Sequence, residues 1–473
     1  QFEAQTSSIW PLAFPQTTFT NSCRFNDGSS DYLEKAQTGS NGNQKTWTIS
    51  MWVKRATLGT SQFLFSFGEN DSSDGKMYFD SNDFLVLTND GQNGSSNETD
   101  MKFRDTSAWY HIIWACDVTQ SDNADRWKVY VNGNQITLTG TVSISNADGI
   151  VNRWNGYDNW IGAAARSQQS GTALQSFDGY MTEVIFIDGQ QLSPTDLGAF
   201  NPVTNIWEPI AYAGTYGTNG YKLNFVDSSA LGDDTSGNGN DFTANNLTSI
   251  DQSTDTCSNN FATYNSIFGM GRQDQLTYSE GNTVVVSGAT SGSDTTATST
   301  FAFDSGKWYA EFKLTSDANG AYVGVATSNL NFTNSGIDTS GNSNCWITRG
   351  DDGTVRNNGS TTYFGTSFSN NDIIQIAIDM DNSKIWWGLN GTYGNSGNPA
   401  TGANAAYSNL SGELMIIVGD NFSSKTPTMK ANFGSPSFSI SSGNADANGH
   451  GNFEYAVPSG YFALNTKNLA EFG

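Results

Sequence analysis

Apolar and polar residues alternate with a period of two along most of this chain, and helical periodicity is almost absent. Such alternation predicts β-strands that bury one face. Polar, Gly-rich turns separate the strands, which indicates antiparallel sandwiches. The strand-like runs of the first half are TWTISMWVKR (46–55), QFLFSFG (62–68), DFLVLTN (83–89), WYHIIWACDV (109–118), RWKVYVNG (126–133) and MTEVIFIDG (181–189).

The pattern changes after residue 200, where aromatic residues are scattered and strand-like runs are few. Alternation resumes with NTVVVSG (282–288), KWYAEFKLT (307–315), AYVGVATSN (321–329), DIIQIAIDMD (372–381), KIWWGLNG (384–391), ELMIIVGDN (413–421) and TMKANFG (428–434). We therefore expect an all-β protein of two antiparallel β-sandwiches. The predicted parts are an N-terminal extension at 1–21, a first sandwich at 22–206, an Asn/Gly-rich connector at 207–259 and a second sandwich at 260–473.

The run KIWWGLNG places two tryptophans side by side in one predicted strand. Alternation sends one of Trp386 and Trp387 into the sandwich and the other outward. The outer ring then needs cover from the connector, from the other domain or from another subunit. An uncovered ring would be a ligand platform or an assembly contact.

Composition argues against several classes of function. The formal net charge of the 473 residues is −24, from 22 basic and 46 acidic residues, so the surface repels nucleic acid and anionic membranes. No apolar run approaches the 18 or so residues of a membrane-spanning helix. The four cysteines are far apart and lack zinc-site spacing, so we expect free thiols.

Motifs in a fixed order support a family resemblance for each half. FNDGSSDYLEK, WTISMWVK, WYHIIWACD, KVYVNG, NWIGAAA and FDGYMTEVIFIDGQQLSPTDL make the first half similar to a laminin-G-like, concanavalin A-type jelly roll. GKWYAEFKL, YVGVATSN, DIIQIAIDMDNSKIWWGLNG and VPSGYFALN make the second half resemble a SPRY domain, which is also a concanavalin A-like sandwich. The two modules in one acidic chain resemble structural proteins of tailed, especially marine, bacteriophages.

Catalytic signatures are weak. His111 lies in a strand and His450 in a loop, neither beside a nucleophile motif, so we interpret both as structural. Jelly-roll glucanases need two carboxylates about 5–9 Å apart and carry an ExDxxE strand, which this sequence lacks. Glu183 and Asp188 are five apart and so are expected on opposite faces of their strand. We expect no enzymatic activity.

One loop resembles a calcium-binding loop. DTSGNGND places Asp234, Ser236 and Asn238 at positions 1, 3 and 5, but Asn245 stands where such loops carry a bidentate Glu. The competing interpretation is a Gly/Asn-rich turn. Related modules often bind calcium near loop ends, and that resemblance adds Asp27, Asp31 and Asp178 as candidate ligands.

Two aromatic segments are candidate ligand sites. Sugar-binding sandwiches combine planar rings with short polar side chains. That mixture occurs in NRWNGYDNWIG (152–162) and NSNCWITRGDDG (342–353). The alternative is a loop-end ring that only covers the core. The candidate ligand-binding residues are Trp154, Tyr157, Asp158, Trp160, Trp346 and Arg349.

These observations and resemblances predict a non-enzymatic virion component, a tail fibre, spike or capsid decoration, which recognises a host cell-surface polysaccharide. Its expected partners are itself, with a homotrimer favoured, and other virion proteins. Its expected location is the outside of the virion. The alternatives are a purely architectural assembly protein, a secreted bacterial adhesin or carbohydrate-binding protein at the cell surface, and a glycan-degrading enzyme.

Overall fold

The computed structural model describes residues 17–36, 42–68, 74–88, 97–139, 158–165, 173–288, 294–330, 337, 341–420 and 425–473. Strand accounts for 46% of the structure and helix for 7%. Period-two alternation therefore predicted the fold class correctly, and the chain forms two β-sandwiches.

The strands of residues 22–253 form the first sandwich and two small two-stranded sheets. Their bounds are β1 (Ser22–Phe25), β2 (Tyr32–Lys35), β3 (Thr46–Arg55), β4 (Gln62–Gly68), β5 (Asp74–Phe79), β6 (Phe84–Thr88), β7 (Asn97–Lys102), β8 (Tyr110–Asp117), β9 (Trp127–Val131), β10 (Asn134–Ile136), β11 (Asp158–Ile161), β12 (Ala164–Ala165), β13 (Ala173–Leu174), β14 (Gly179–Asp188), β15 (Gly198–Phe200), β16 (Trp207–Pro209), β17 (Tyr221–Leu223), β18 (Thr243–Asn245) and β19 (Gln252–Ser253).

The two large sheets of the first sandwich follow the orders β10-β9-β8-β3-β14-β1-β19, with β17 also on β14, and β18-β2-β11-β4-β5-β6-β7. Their facing side chains, among them Trp47, Trp114 and Phe65, form one buried core. Three strands of the predicted connector join these sheets, because β17 pairs with β14, β18 with β2 and β19 with β1. Much of the connector is thus packed into the first sandwich.

The second sandwich is built from residues 264–463. Its strands are β20 (Tyr264–Gly271), β21 (Leu276–Ser279), β22 (Val284–Ser287), β23 (Thr295–Phe303), β24 (Lys307–Ser316), β25 (Ala321–Ala326), β26 (Cys345–Arg349), β27 (Thr354–Asn357), β28 (Ser360–Tyr363), β29 (Ile373–Asp379), β30 (Lys384–Leu389), β31 (Thr392–Tyr393), β32 (Leu414–Asp420), β33 (Thr428–Asn432) and β34 (Phe462–Ala463).

Its sheets follow the orders β20-β23-β32-β25-β26-β27-β28 and β21-β22-β33-β24-β29-β30-β31, with β34 parallel to β24. A helix, α1 (Thr466–Phe472), follows β34. Short 3-10 turns occur at Asn123–Asp125, Pro194–Asp196, Ser249–Asp251, Gln273–Gln275, Ala318–Gly320, Gly394–Ser396 and Pro399–Thr401. None of the helices among the described residues has the length and apolar character needed to span a membrane.

Both tryptophans of β30 are buried, on opposite faces of their sheet. Trp387 belongs to the core between the sheets. Trp386 packs on the outer face with Tyr309, Phe453 and Tyr461, and its Nε1 donates to the carbonyl of Ala403 at 2.8 Å. Later segments of the same sandwich therefore supply most of the cover that the outward ring requires.

Ion pairs lie where the first sandwich meets the connector and the second sandwich. Lys54 of β3 contacts Asp255 at 2.9 Å, with both side chains 1% exposed. Arg24 of β1 contacts Asp251 at 3.1 Å and Glu280 at 3.2 Å. Glu280 directly follows β21, so the contact of the buried Arg24 with the 28% exposed Glu280 side chain ties the first sandwich to the second.

Candidate functional site

The first predicted sugar-binding segment is only partly described. Trp154 and Tyr157 lie outside the described residues. Asp158 begins β11, and Trp160 lies within it with 2% exposure. The Trp160 ring stacks on Tyr32 at a centroid distance of 5.3 Å, because β11 pairs with β2 and aligns the two side chains on one face. This ring offers no open face to a sugar in the structure.

The second predicted segment places its two candidate residues in β26. Trp346 is 1% exposed within the core, and its Nε1 donates to Asn409 at 3.0 Å. Arg349 donates from Nε and Nη2 to the two carboxylate oxygens of Asp351, at 3.1 and 3.2 Å. The structure therefore gives both residues packing or pairing roles, and their role in ligand binding stays a prediction.

The calcium-like loop is held by its own groups and by the backbone of residues 217–222. The Asp234 carboxylate accepts from the amides of Lys222, Ser236 and Asn240 and from the Ser236 hydroxyl, at 2.8–2.9 Å. The side-chain Nδ2 of Asn238 donates to the carbonyls of residues 217 and 220. These hydrogen bonds form an Asx-type turn, and such a turn explains the Gly/Asn-rich sequence of the loop. Calcium binding here stays a prediction.

Acidic residues also gather where the sandwiches meet. Burial, with smaller contributions from nearby Asp27 and Glu280, raises the pKa of Asp178 to about 7. Burial likewise raises the pKa of Asp31 to about 6. Asp178 accepts from the Thr57 hydroxyl at 2.5 Å. Across the described residues, however, no three His, Cys, Asp or Glu side chains are arranged to hold a metal ion.

His111 is a buried structural residue. Trp207 donates from Nε1 to His111 Nδ1 at 3.0 Å, so the ring proton must reside on Nε2, which lies 2.8 Å from the Ser50 hydroxyl. Burial lowers the pKa of His111 to about 3. The ring is therefore neutral at physiological pH and has both nitrogens occupied.

A cleft opens where the N-terminal residues of the first sandwich meet the C-terminal segment. We call it the junction cleft, with a volume of about 260 Å³. Phe19 and Phe261 form apolar parts of its lining, and the backbone of residues 449–451 borders it. Its polar lining comes from Thr18, Thr20, Thr254, Thr256, His450 and Lys467.

The charges of the junction cleft distinguish it within an acidic protein. Neither His450 nor Lys467 forms a side-chain ion pair in the part of the chain that the structure describes, and no acidic residue lines the cleft. Hydroxyl groups, ring edges and a cation in one concavity can bind a polar ligand that carries negative charge.

A second concavity, which we call the side cavity, lies in the second sandwich and measures about 330 Å³. It is bordered by residues that follow β28 and by residues of β30 and β31. Its apolar lining comes from Phe364, Phe368, Ile374, Trp387 and Leu389, and none of its lining residues is charged.

Neither concavity is visible in the sequence pattern. That pattern places Thr18 and Thr20 in an extension outside the sandwich and His450 in a loop without a chemical motif. The residues of each concavity come from segments far apart in the chain, which only the fold brings together. The one available signal for the side cavity was the second tryptophan of KIWWGLNG.

Family comparisons agree with this architecture. Residues 27–197 match the concanavalin A-like lectin/glucanases superfamily, in its laminin G type. Residues 307–434 match the SPRY domain. These matches confirm both domain resemblances, while the likeness to bacteriophage proteins stays a prediction. Domains of these types are often involved in binding or adhesion. No match was found among curated proteins.

Solved structures show partial likeness. The SPRY domain of human HERC1 is 20% identical over 36% of this chain and 96% of its own, with a TM-score of 0.29. A heptameric SAP-like pentraxin from Limulus polyphemus is 17% identical over 37% of this chain and 78% of its own, with a TM-score of 0.29. At this level the likeness carries no argument about function. The family matches and the two sandwiches together identify the chain as a laminin G-type, concanavalin A-like domain followed by a SPRY domain.

Proposed function

We propose that this protein is a non-enzymatic recognition protein on the outside of a virion, as a tail fibre, spike or capsid decoration, and that it binds a host cell-surface polysaccharide. The junction cleft carries the recognition part of this proposal. It combines the hydroxyls of Thr18, Thr20 and Thr254 with apolar ring surface and two basic side chains. Polysaccharides present hydroxyl groups, apolar ring faces and often carboxylates, which such a lining matches.

The charge pattern favours an acidic polysaccharide. With a net charge of −24, most of this surface repels an anionic polymer, so binding requires a local exception. Lys467 and His450 provide one.

The binding test compares alginate, an acidic polysaccharide, with neutral dextran by biolayer interferometry, together with an array of bacterial surface polysaccharides. We expect acidic glycans to bind and Lys467→Gln to weaken that binding about tenfold, as for loss of one charge-assisted hydrogen bond. The matched control is Lys45→Gln, which removes an exposed lysine of the first sandwich that does not line the cleft.

Three results would contradict this assignment: no polysaccharide bound, equal binding by Lys467→Gln and the unaltered protein, or equal weakening by Lys45→Gln. Location needs a separate measurement. Antibodies against the protein, detected by immunogold electron microscopy, should label intact virus particles, and labelling only of bacterial surfaces would favour an adhesin.

A second candidate function, architectural assembly, is favoured by one hairpin. The loop between β15 and β16 exposes Val203 by 88% and Ile206 by 61%, and Phe200 at its base by 42%. Clustered exposed apolar side chains mark association surfaces. Analytical ultracentrifugation of the protein and of Val203→Asp tests this, since a trimer that dissociates on substitution would support assembly through the hairpin.

A further inference from the structure

A lysine, an aspartate and an asparagine meet where the first sandwich joins the second. Lys54 of β3 places its Nζ 2.9 Å from Oδ2 of Asp255 and 2.7 Å from Oδ1 of Asn260. The side chains of Lys54 and Asp255 are both 1% exposed. The three residues therefore bring together an amine, a proton acceptor and the carbonyl group of an amide.

Hydrogen bonds fix which end of the Asn260 amide faces the lysine. Its Nδ2 donates to the carbonyl of Ser107 at 2.6 Å, and a carbonyl can only accept, so the side-chain oxygen must face Lys54. The backbone of Asn260 is held as well, because it exchanges two hydrogen bonds with Thr466 at the start of α1. The amide is thus presented to the lysine in one orientation.

The amine lies close to the amide carbon. A carbonyl bond is about 1.2 Å long, so Nζ of Lys54 is no more than about 4 Å from Cγ of Asn260. Reacting atoms in a productive arrangement are about 3–3.5 Å apart. The amine therefore needs only a small side-chain rotation to reach that carbon.

Aromatic rings keep bulk water away from the three residues. Trp52, Trp109 and Tyr180 belong to one buried cluster, and Nζ of Lys54 lies 5.7 Å from the centre of the Tyr180 ring. Trp109 also donates from Nε1 to Asp255 at 3.1 Å, which fixes the carboxylate. Such a site favours reaction with the amine, because competing water is excluded.

We propose that Lys54 and Asn260 become joined by an intramolecular amide crosslink, with Asp255 as the proton carrier. The lone pair of Nζ forms a bond to Cγ of Asn260, and the bond from Cγ to Nδ2 breaks with its electron pair on the leaving nitrogen. Asp255 takes a proton from Nζ and gives it to that nitrogen, which also gains the second proton that Nζ loses. The lysine ammonium and the amide thus yield a new amide and one ammonium ion, with no oxidant or cofactor.

The ion pair of Lys54 and Asp255 is the starting state, since Nζ attacks only after a proton has passed to the carboxylate. The two charged groups stabilise each other, so the crosslink should accumulate slowly after folding. It would tie β3 covalently to a residue 206 positions later, just before β20. The proposal does not depend on polysaccharide binding.

The test follows purified protein over several days at neutral pH by trypsin digestion and tandem mass spectrometry. Crosslinking blocks cleavage after Lys54, so the digest should contain residues 46–55 joined to residues 223–272. The protein should also lose about 17 Da, the mass of ammonia. Ring closure at Asn–Gly steps removes the same mass, so the joined peptide is the decisive measurement.

Two variants separate the roles of the residues. Asn260→Ala removes the reacting carbon but keeps the ion pair, and it should give no joined peptide. Asp255→Asn should form the joined peptide at least about 100-fold more slowly, because proton transfer by a positioned side chain contributes about 10²–10⁴-fold. Circular dichroism checks that each variant is folded.

A similar group in the second sandwich is the matched control. Lys307 contacts Asp379 at 3.0 Å but is 33% exposed, and Asn382 directs its Nδ2 to the two oxygens of Asp379 at 3.1 and 2.9 Å. Its amide therefore presents nitrogen to the pair, and no peptide joined through Lys307 should form. The proposal is overturned if no peptide joins residues 54 and 260, if Asp255→Asn reacts at the unaltered rate, or if Lys307 crosslinks equally.

Discussion

In each sandwich an aromatic cluster covers the outer face of a sheet, but the buried carboxylate beside that cluster is stabilised differently. In the first, a buried aromatic cluster that includes Trp52, Trp109 and Tyr180 lies beside the ion pair of Lys54 and Asp255. In the second, Trp386 and its neighbours lie beside Glu311, which has no ion-pair partner within the described ranges but accepts four hydrogen bonds. The difference shows that a buried carboxylate can be stabilised either by a cation or by convergent neutral donors.

The largest expected effect comes from breaking the ion pair. Lys54→Met leaves Asp255 buried without its cation, and losing one partner of a buried pair costs about 3–5 kcal/mol. Urea unfolding at pH 7 should show a loss of this size. The double variant Lys54→Met, Asp255→Asn should recover part of it, and a loss below about 1 kcal/mol would mean that the carboxylate is stabilised without the lysine.

An intermediate effect is expected at the second carboxylate. Glu311 accepts from the backbone amides of Glu454 and Tyr455 and from the side chains of Tyr309 and Asn432. Glu311→Gln replaces one of the carboxylate oxygens that face these donors with an NH2 group, which is itself a donor. This should lower the free energy of unfolding by about 1–3 kcal/mol. Urea unfolding measures this loss of stability. A loss equal to or larger than that of Lys54→Met would show that the two buried carboxylates do not differ as described.

The smallest effect concerns pH. The pKa of Asp178 is raised to about 7 in the folded protein, above its value near 4 when unfolded. The folded state therefore binds the extra proton, and this group stabilises the fold less as pH rises toward and past 7. From pH 6 to pH 8 it should lower stability by about 1 kcal/mol.

Comparison with Asp178→Asn isolates this contribution, because the variant lacks the titrating carboxyl at the same position. Unfolding free energies measured at pH 6 and pH 8 should fall further for the unaltered protein than for the variant. Parallel changes in the two proteins would show that Asp178 ionises as freely in the fold as in the unfolded chain.

Alternation in the sequence predicted the sandwiches and the opposite faces of Trp386 and Trp387, because both follow from local strand geometry. It could not predict what covers an outward ring. The sequence pattern makes Trp160 a candidate ligand platform, yet its cover is Tyr32, which is 128 positions away in the chain and adjacent only through pairing of β11 with β2. The junction cleft and the side cavity escaped prediction for the same reason, since each depends on which sheet edges and chain segments meet.

The pairing of β1 with β19 also has a consequence for synthesis on the ribosome. Cys23 of β1 pairs with Gln252 of β19, so 229 positions separate the partners. At about 5–20 residues per second, translation takes on the order of 10–50 s to reach the second strand after the first has emerged. Throughout that interval β1 lacks its outer neighbour. Nascent copies on one message would be exposed to pairing with each other, so we expect slow translation or crowded polysomes to lower the yield of soluble protein.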